Sequence, residues 1–417
     1  MREMKDSGIE WIGEIPADWT LQRGKTIFAQ RLTKGNQSEI LLAATQKYGM
    51  LPQSEVEGVV QVKEDADLQQ FRTVHKKDFV ISLRSFQGGF EYSQYEGVCS
   101  PAYQVFYNTK QICHNYYRLL FKSDGFIQKM NSMTVGIREG KNIQYSDFAD
   151  SLIPVPPIDQ QQRIADYLDR KCSQIDTIIA RQQEVIEKLK AYKLSVITEA
   201  VTKGLNPDVP MKNSGIEWIG EIPEHWDVLK LQTHTRMLTP MRDRPEKLDG
   251  DIPWVRIEDY NGKYISTSKE GLGVSLETVK EMNLKIYPVG SILCTSSCDL
   301  GKCAIVTREL VSNQRFINII PDSNTDSDYL YYLMLSNAER LNHLSTGTIQ
   351  ANLSRKAFEH LMVQFPPVSE QKAIAEYLDR KCEALEFYIN KKQDLISSLS
   401  FYKKSLIYEV VTGKKEV

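Results

Sequence analysis

The chain has 417 residues, too many for one ordinary hydrophobic core, and predicts two domains or more. Apolar residues make up 41% and charged residues 25%, as in a globular protein, and no run of eighteen apolar residues predicts a membrane span. The net charge is −2, whereas a free-standing nucleic-acid binder usually carries an excess of basic residues. The charge still allows a binder whose basic surface is local, or whose partner chains supply the phosphate contacts.

The elements of the first half follow one another in a clear order. It opens with the frame motif MKDSGIEWIGEIPADW at residues 4–19. Short β-prone runs at 78–83 and 103–107 predict strands, and an amphipathic segment at 115–121 predicts a helix. The Pro-Pro pair at 156–157 suits the start of a long helix, because proline ends the preceding extended segment.

The second half repeats the first. The frame returns as MKNSGIEWIGEIPEHW at 211–226, identical at thirteen of sixteen positions, and IADYLDRKC at 164–172 returns as IAEYLDRKC at 374–382. A strand is predicted at 291–294 and a helix at 329–335, but the interiors otherwise differ strongly. The repeated motifs match while the segments between them differ. This pattern favours a chain that binds the same partner twice through its frames and recognises two different ligands through the segments between them. A recent duplication with uneven drift, or a recombined module, is the alternative.

A heptad pattern follows each Pro-Pro pair. Its polar breaks fall at matching places, Gln182 with Lys392 and Lys193 with Lys403, and polar residues at such positions commonly set register. Thirty-three helical residues span about 50 Å. We therefore expect an antiparallel helix pair that holds two modules apart, rather than helices packed each on its own module. The repeating positions are 168, 172, 175, 179, 182, 186, 189, 193, 196 and 200, and each of these plus 210.

No catalytic motif is found. Gly301-Lys302 lacks the upstream glycine of a phosphate-binding loop and is followed by Cys303, and the Pro-Pro pairs follow Val155 and Phe365 rather than the polar residue of an amino-methyltransferase. We therefore expect a chain that is not an enzyme and carries no cofactor.

The cysteines predict neither disulfides nor a metal site. Seven scattered cysteines, with no apolar secretion signal at the N-terminus, favour free thiols and a cytoplasmic location. The cluster of Cys294, Cys298 and Cys303 lacks a fourth zinc ligand and a counterpart in the first half, so buried apolar cysteines are favoured.

Two polar loops in each half are candidates for recognition. The first follows a predicted strand, at residues 82–89 and 295–302, and the second precedes the long helix, at 136–142 and 346–352. Arg and Gln hydrogen-bond to guanine and adenine edges, and Lys and Arg hold phosphates. Solvated loops are the alternative. With two residues of the turn at 312–315, the candidate DNA-binding residues are Arg84, Ser85, Gln87, Arg138, Lys141, Asn142, Ser296, Ser297, Lys302, Gln314, Arg315 and Asn352.

The frames resemble the specificity subunits of type I restriction–modification systems. The resemblance is carried by SGIEWIGEIPxxW, by PPIDQQQRIA and PPVSEQKAIA after the interiors, and by Ser-Pro-Ala-Tyr at 100–103, where the second half departs with Ser-Asn-Gln-Arg at 312–315. It covers essentially the whole chain.

This resemblance implies an α/β (α+β) fold: two β-rich globular target-recognition domains separated by two long antiparallel coiled-coil helices, as a pseudo-twofold tandem repeat. Each domain would read one half of a bipartite, asymmetric site in double-stranded DNA. The implied segments are target-recognition domain 1 at 1–157, the central spacer helix at 158–204, a linker at 205–215, target-recognition domain 2 at 216–367 and the distal spacer helix at 368–412.

The resemblance also implies partners. The helices would set the spacing between half-sites and dock two methyltransferase subunits, and motor–nuclease subunits would join for cleavage. S-adenosylmethionine, ATP and Mg²⁺ are then expected on the partners, with no membrane association. A two-headed coiled-coil scaffold that binds protein or glycan ligands is the alternative function.

Overall fold

The computed structural model divides the chain into two compact units. Unit 1 comprises Met1–Gln182 with Asp394–Val417, and unit 2 comprises Gln183–Gln393. The structure describes residues 2–35, 40–56, 68–82, 89–133, 143–240, 243–297, 301–344 and 353–417.

Unit 1 is built around a sheet of strand order β4-β11-β8-β9, packed against short helices. Its neighbouring strands are antiparallel. The strands are β1 Met4–Asp6, β2 Glu14–Pro16, β3 Thr20–Arg23, β4 Phe28–Arg31, β5 Leu42–Thr45, β6 Gly49–Pro52, β7 Arg72–Val74, β8 Phe79–Ile81, β9 Phe90–Tyr92, β10 Gly97–Cys99, β11 Gln104–Asn108 and β12 Leu152–Val155, and the short helices are α1 Gly24–Ile27, α2 His114–Phe121, α3 Asp124–Met133 and α4 Tyr145–Asp150.

Unit 2 repeats this plan with the order β16-β23-β20-β21 and adds β18 in parallel beside β21. Its strands are β13 Met211–Asn213, β14 Glu221–Pro223, β15 Asp227–Lys230, β16 Thr235–Leu238, β17 Ile252–Val255, β18 Tyr264–Ile265, β19 Gly273–Val274, β20 Ile292–Thr295, β21 Cys303–Val306, β22 Val311–Ser312, β23 Phe316–Pro321 and β24 Met362–Phe365, and its short helices are α6 Leu276–Glu281, α7 Ser327–Ser336, α8 Ala338–Leu344 and α9 Arg355–Glu359.

The elements predicted inside the two halves are confirmed. The β-prone runs become β8, β11 and β20, and the amphipathic segments become α2 and α7. Strands form there because β-branched and aromatic residues pack well on a pleated surface. In unit 1 the sheet and α2 enclose an aromatic core, in which Phe28 meets Phe106 edge-on at 5.4 Å between ring centroids.

The two long helices are α5, Ile158–Lys203, and α10, Val368–Val411. Every predicted heptad position on both helices is buried or half-buried, while most intervening positions are exposed. A glycine with positive φ follows each helix, Gly204 at 75° and Gly413 at 77°, and supplies the left-handed conformation that ends a helix. The predicted heptad seam is confirmed.

Two of the lysines that break the seam form ion pairs between the helices. In unit 1, Lys403 Nζ lies 2.7 Å from Asp176, and in unit 2, Lys193 Nζ lies 2.5 Å from Glu386. Each ion pair joins a residue of α5 to a residue of α10 within one unit, so the two helices are paired in both units. The second pair is the first with the two helices exchanged, as a pseudo-twofold repeat requires.

The compact units do not follow the linear segments inferred from the sequence. Unit 1 contains the start of α5 and the end of α10, while unit 2 contains the end of α5 and the start of α10. In unit 1, Leu406 and Val410 of α10 join the core that holds Leu168 of α5. The core of unit 1 is thus completed by a helix end that is distant in the sequence. In the described part of the chain, no helix is long and apolar enough to cross a membrane.

A buried carboxyl group in unit 1 gives a pH-dependent stability. Glu91 on β9 is 1% exposed, and one of its oxygens accepts from Lys122 Nζ at 2.7 Å. Burial raises the pKa of Glu91 from its ordinary value near 4.5 to about 7, against the opposing charge of Lys122. The folded state therefore binds more protons than the unfolded state between these pH values, and stability falls as pH rises through the window.

Replacing Glu91 with Gln should remove this pH dependence. From pH 5 to pH 8 we expect the native chain to lose on the order of 1–3 kcal/mol in unit 1, and Glu91→Gln to lose much less. Denaturant unfolding at several pH values measures this difference. Glu96→Gln, at an exposed position, is the control and should follow the native curve. Parallel pH profiles for the native chain and Glu91→Gln would contradict the prediction.

Candidate nucleic-acid interface

The last tryptophan of each frame anchors the frame to a long helix. Trp19 is fully buried and its Nε1 donates to Gln160 Oε1 at 2.8 Å. Trp226 is equally buried and its Nε1 donates to Glu370 Oε2 at 3.0 Å. Buried indole nitrogens need such an acceptor. The repeated Trp and the polar residue at the helix start therefore act as one structural pair.

A buried glutamine fixes the Pro-Pro turn in each unit. Gln161 Oε1 accepts from Cys113 N–H at 2.9 Å, and its Nε2 donates to the Pro156 carbonyl at 2.9 Å. Gln371 Oε1 accepts from Asp326 N–H at 2.8 Å, and its Nε2 donates to the Pro366 carbonyl at 2.8 Å.

These two glutamines tie the start of each long helix to the residue just before α2 or α7. We predicted from the sequence that the frames bind a partner, and this structural role of the two glutamines was missed. The signal was present, because Gln161 and Gln371 are repeated at the same offset as the neighbouring helix motif.

The first candidate loop in each half joins two strands of the central sheet. Ser82 N–H donates to the Gly89 carbonyl at 2.8 Å, beyond β8 and β9. Thr295 N–H, at the end of β20, donates to the carbonyl of Lys302, just before β21, at 2.9 Å. The segments paired in the sequence analysis are therefore equivalent hairpin ends. Arg84, Ser85 and Gln87 lie outside the described residues.

Three candidate segments meet in unit 2 at the backbone of Ser296. Its N–H donates to the Arg315 carbonyl at 2.8 Å, and its carbonyl accepts from Leu353 N–H at 2.8 Å. These bonds join the hairpin end, the 312–315 turn and the end of the pre-helix loop. Arg138, Lys141, Asn142 and Asn352, which belong to the pre-helix loops, lie outside the described residues.

Lys302, Gln314 and Arg315 are exposed beside this junction, as recognition residues need to be. Ser296 and Ser297, two candidates in the polar loop predicted at 295–302, are instead buried, at 8% and 9% exposure, so an exposed position for these two side chains is wrong. The reason is that Ser296 lies between two backbone partners at the end of the sheet. Contact with DNA stays a prediction for every candidate residue.

Two cysteines of unit 2, Cys294 and Cys303, lie in the sheet, and Cys298 of the predicted cluster lies outside the described residues. Cys294 and Cys303 face each other across β20 and β21, and both are buried. Burial raises the pKa of the Cys294 thiol well above its ordinary value, so the thiol is protonated at neutral pH. Within the described ranges, the cysteines are free and no group of His, Cys, Asp and Glu side chains is placed to hold a metal ion.

Comparison with known proteins agrees with this repeated architecture. The family model for the type I restriction modification DNA specificity domain matches residues 4–188 and again 226–395. The chain belongs to this family. Its function is that of a specificity subunit with DNA-recognition domains, and the two-headed scaffold for protein or glycan ligands is set aside.

Curated relatives carry the same description. The MjaIX specificity subunit of Methanocaldococcus jannaschii is 35% identical over 181 residues, 42% of this chain and 41% of that one. The putative MjaX specificity subunit of the same organism is 24% identical over 97% of this chain and 96% of its own. Membership of this family makes the chain a non-catalytic subunit of a restriction–modification complex.

Solved structures share the fold. A chain from a type I R-M system, solved to explain complex assembly and conformational transition, superposes with a TM-score of 0.74 at 12% identity and covers 96% of this chain and 99% of its own. The HsdS subunit from Thermoanaerobacter tengcongensis superposes with a TM-score of 0.53 at 11% identity, covering 96% and 98%. The predicted fold class, two recognition domains with long coiled-coil helices, is confirmed.

Proposed function

We propose that each unit reads one half of a bipartite, asymmetric site in double-stranded DNA. One observation carries this proposal. Both units have the same strand order and the same frame motif, but the polar segments at the corresponding end of the two sheets differ. Equivalent scaffolds orient their loops alike, while different side chains there select different bases. The side chains at these positions differ, with exposed Gln314 and Arg315 in unit 2 where unit 1 has exposed Ala102 and half-buried Tyr103, and this difference supports two unlike half-sites.

The same duplication supports two docking sites for one kind of partner. Frame residues that repeat in both units and are exposed in both, such as Lys5 with Lys212 and Arg170 with Arg380, have no role in the cores. We infer that surfaces of this kind bind two methyltransferase subunits. These partners would hold S-adenosylmethionine and methylate adenine, and motor–nuclease subunits with ATP and Mg²⁺ would join for cleavage. The chain would work in the cytoplasm.

Replacing Arg315 tests the proposal at a described residue. Co-expressed with its methyltransferase subunit, the Arg315→Ala chain should methylate its target with relaxed or weakened selection in one half-site only. Loss of a bidentate base contact costs about 1–3 kcal/mol of discrimination. Mapping methylated adenines across the host genome measures this.

The matched control is Arg308→Ala, an exposed arginine beyond the opposite end of β21. It should leave the methylated motif unchanged. Equal losses in both half-sites, or the same result for both variants, would count against base reading by Arg315.

A further inference from the structure

A polar cleft in unit 1 lies beside the strand that follows the Ser-Pro-Ala-Tyr turn. Its volume is about 710 Å³, and its walls come from the end of β4, the turn at 100–103, the start of β11 and the start of α4. Its polar lining includes Gln30, Arg72, Gln104 and Gln144. None of these four side chains is among the DNA-binding residues predicted from the sequence.

Three glutamines form a hydrogen-bonded row along this cleft. Gln104 Oε1 accepts from Gln30 Nε2 at 3.1 Å and from the backbone N–H of Tyr145 at 2.9 Å. Gln104 Nε2 donates to Gln144 Oε1 at 2.5 Å. The central amide is thereby fixed in orientation, and it holds the exposed Gln144 at the rim. Amides that are fixed in this way are suited to hydrogen-bonding a base edge.

Arg72 supplies the cation of the cleft. It is half-buried, and its guanidinium donates one long hydrogen bond, 3.4 Å, to the Leu32 carbonyl. Among the described residues it makes no ion pair. Lys25, the other cation of the lining, is neutralised by Asp150 at 2.6 Å. A phosphate-binding groove would carry several unpaired cations, whereas one arginine among amides matches the groups that read bases.

The position of the cleft connects it to the recognition segments. It contains the turn at 100–103, and the equivalent turn at 312–315 in unit 2 joins the hairpin end through Ser296. Gln144 lies two residues after the pre-helix loop of the first half, and Gln104 pairs with Ile81, the residue before the first candidate loop. The cleft therefore lies beside residues that flank both candidate loops of unit 1.

We propose that this cleft receives base edges of the first half-site, and that Arg72 and Gln144 are specificity-determining residues, with Gln104 as the positioning residue between Gln30 and Gln144. This inference rests on the proposed function, because it takes the occupant to be the DNA that the chain recognises. It adds which side chains of unit 1 select the sequence.

The test is methylation mapping with the full chain and its methyltransferase subunit. Arg72→Ala and Arg72→Lys should each lower methylation of the native target roughly tenfold and relax base preference in the first half-site, with the second half-site unchanged. Gln144→Ala should relax the same half-site. Lys110→Ala is the control, because Lys110 is exposed beyond the opposite end of β11 and should leave the motif unaltered.

Two results would overturn the inference. One is a native motif and rate in all three cleft variants. The other is an even loss over all sequences with a lower salt dependence, which marks a phosphate contact. Binding of the assembled complex to a duplex that carries the native motif, measured at several salt concentrations, separates these cases. If the native chain and Arg315→Ala still give a bipartite motif, the proposed function survives while the cleft assignment fails.

Discussion

Replacing Gln161 with Leu is expected to destabilise unit 1 by about 2–5 kcal/mol, because each buried backbone group left without a partner costs roughly 1–3 kcal/mol. Gln161 is 2% exposed, and its side chain serves both the Cys113 N–H and the Pro156 carbonyl. Leucine has nearly the same size but neither donor nor acceptor. The start of α2 and the start of α5 should therefore loosen together.

Hydrogen exchange with denaturant unfolding measures this effect and locates it. Exchange should accelerate in α2 of unit 1, while α7 of unit 2, held by Gln371, stays protected. Gln174→Leu, at an exposed position of the same helix, is the matched control and should change stability by about 0.5 kcal/mol or less. If Gln161→Leu behaves like this control, the glutamine is not the element that joins the turn to the helix.

Removing one heptad from both long helices is expected to change the target rather than abolish recognition. The Asp176–Lys403 pair joins the two helices in unit 1 and the Lys193–Glu386 pair joins them in unit 2, and residues 182–188 and 391–397 lie between these pairs in the sequence. Deleting both segments keeps both ion pairs and shortens the helix pair by about 10 Å, since each residue contributes 1.5 Å. Under the proposed function, this shortens the distance between half-sites by about three base pairs at 3.4 Å each.

Methylation mapping should then show the two native half-sites at a shorter spacing, and methylation at the native spacing should fall at least about tenfold. Deleting residues 182–188 alone is the informative control. It shifts the seam of one helix against the other and separates the ion pairs, so it should lower stability without defining a new spacing. An unchanged spacing in the double deletion would mean that the helices do not set it.

The local features of this fold could be predicted from the sequence because they leave local patterns. The heptad seam is visible as alternating steps of three and four, and the strands β8 and β20 as short β-prone runs before polar segments. Because the chain is a repeat, each of these patterns occurs in both halves. Even the polar seam positions Lys193 and Lys403 were recognisable, although their partners Glu386 and Asp176 were not.

The long-range features could not be predicted in this way. Nothing in the periodicity of α10 indicates that Tyr116 of unit 1 donates to the Val411 carbonyl at its end. The burial of Ser296 also depends on backbone partners at Arg315 and Leu353, which are distant in the sequence. The polar composition of this segment therefore predicts an exposed loop, whereas the backbone hydrogen bonds of the sheet extend to Ser296. The glutamine row of the cleft is missed for the same reason, because β4, β11 and α4 meet only in the fold.

The central claim is that one chain reads two unlike half-sites, one with each unit. Its most direct test is the map of methylated adenines in cells that express the methyltransferase subunit with and without this chain. We expect a bipartite motif, with two different half-sites at a fixed spacing, that appears only when the chain is present. A methylated motif that is independent of the chain, or the absence of any motif with both subunits present, would contradict it.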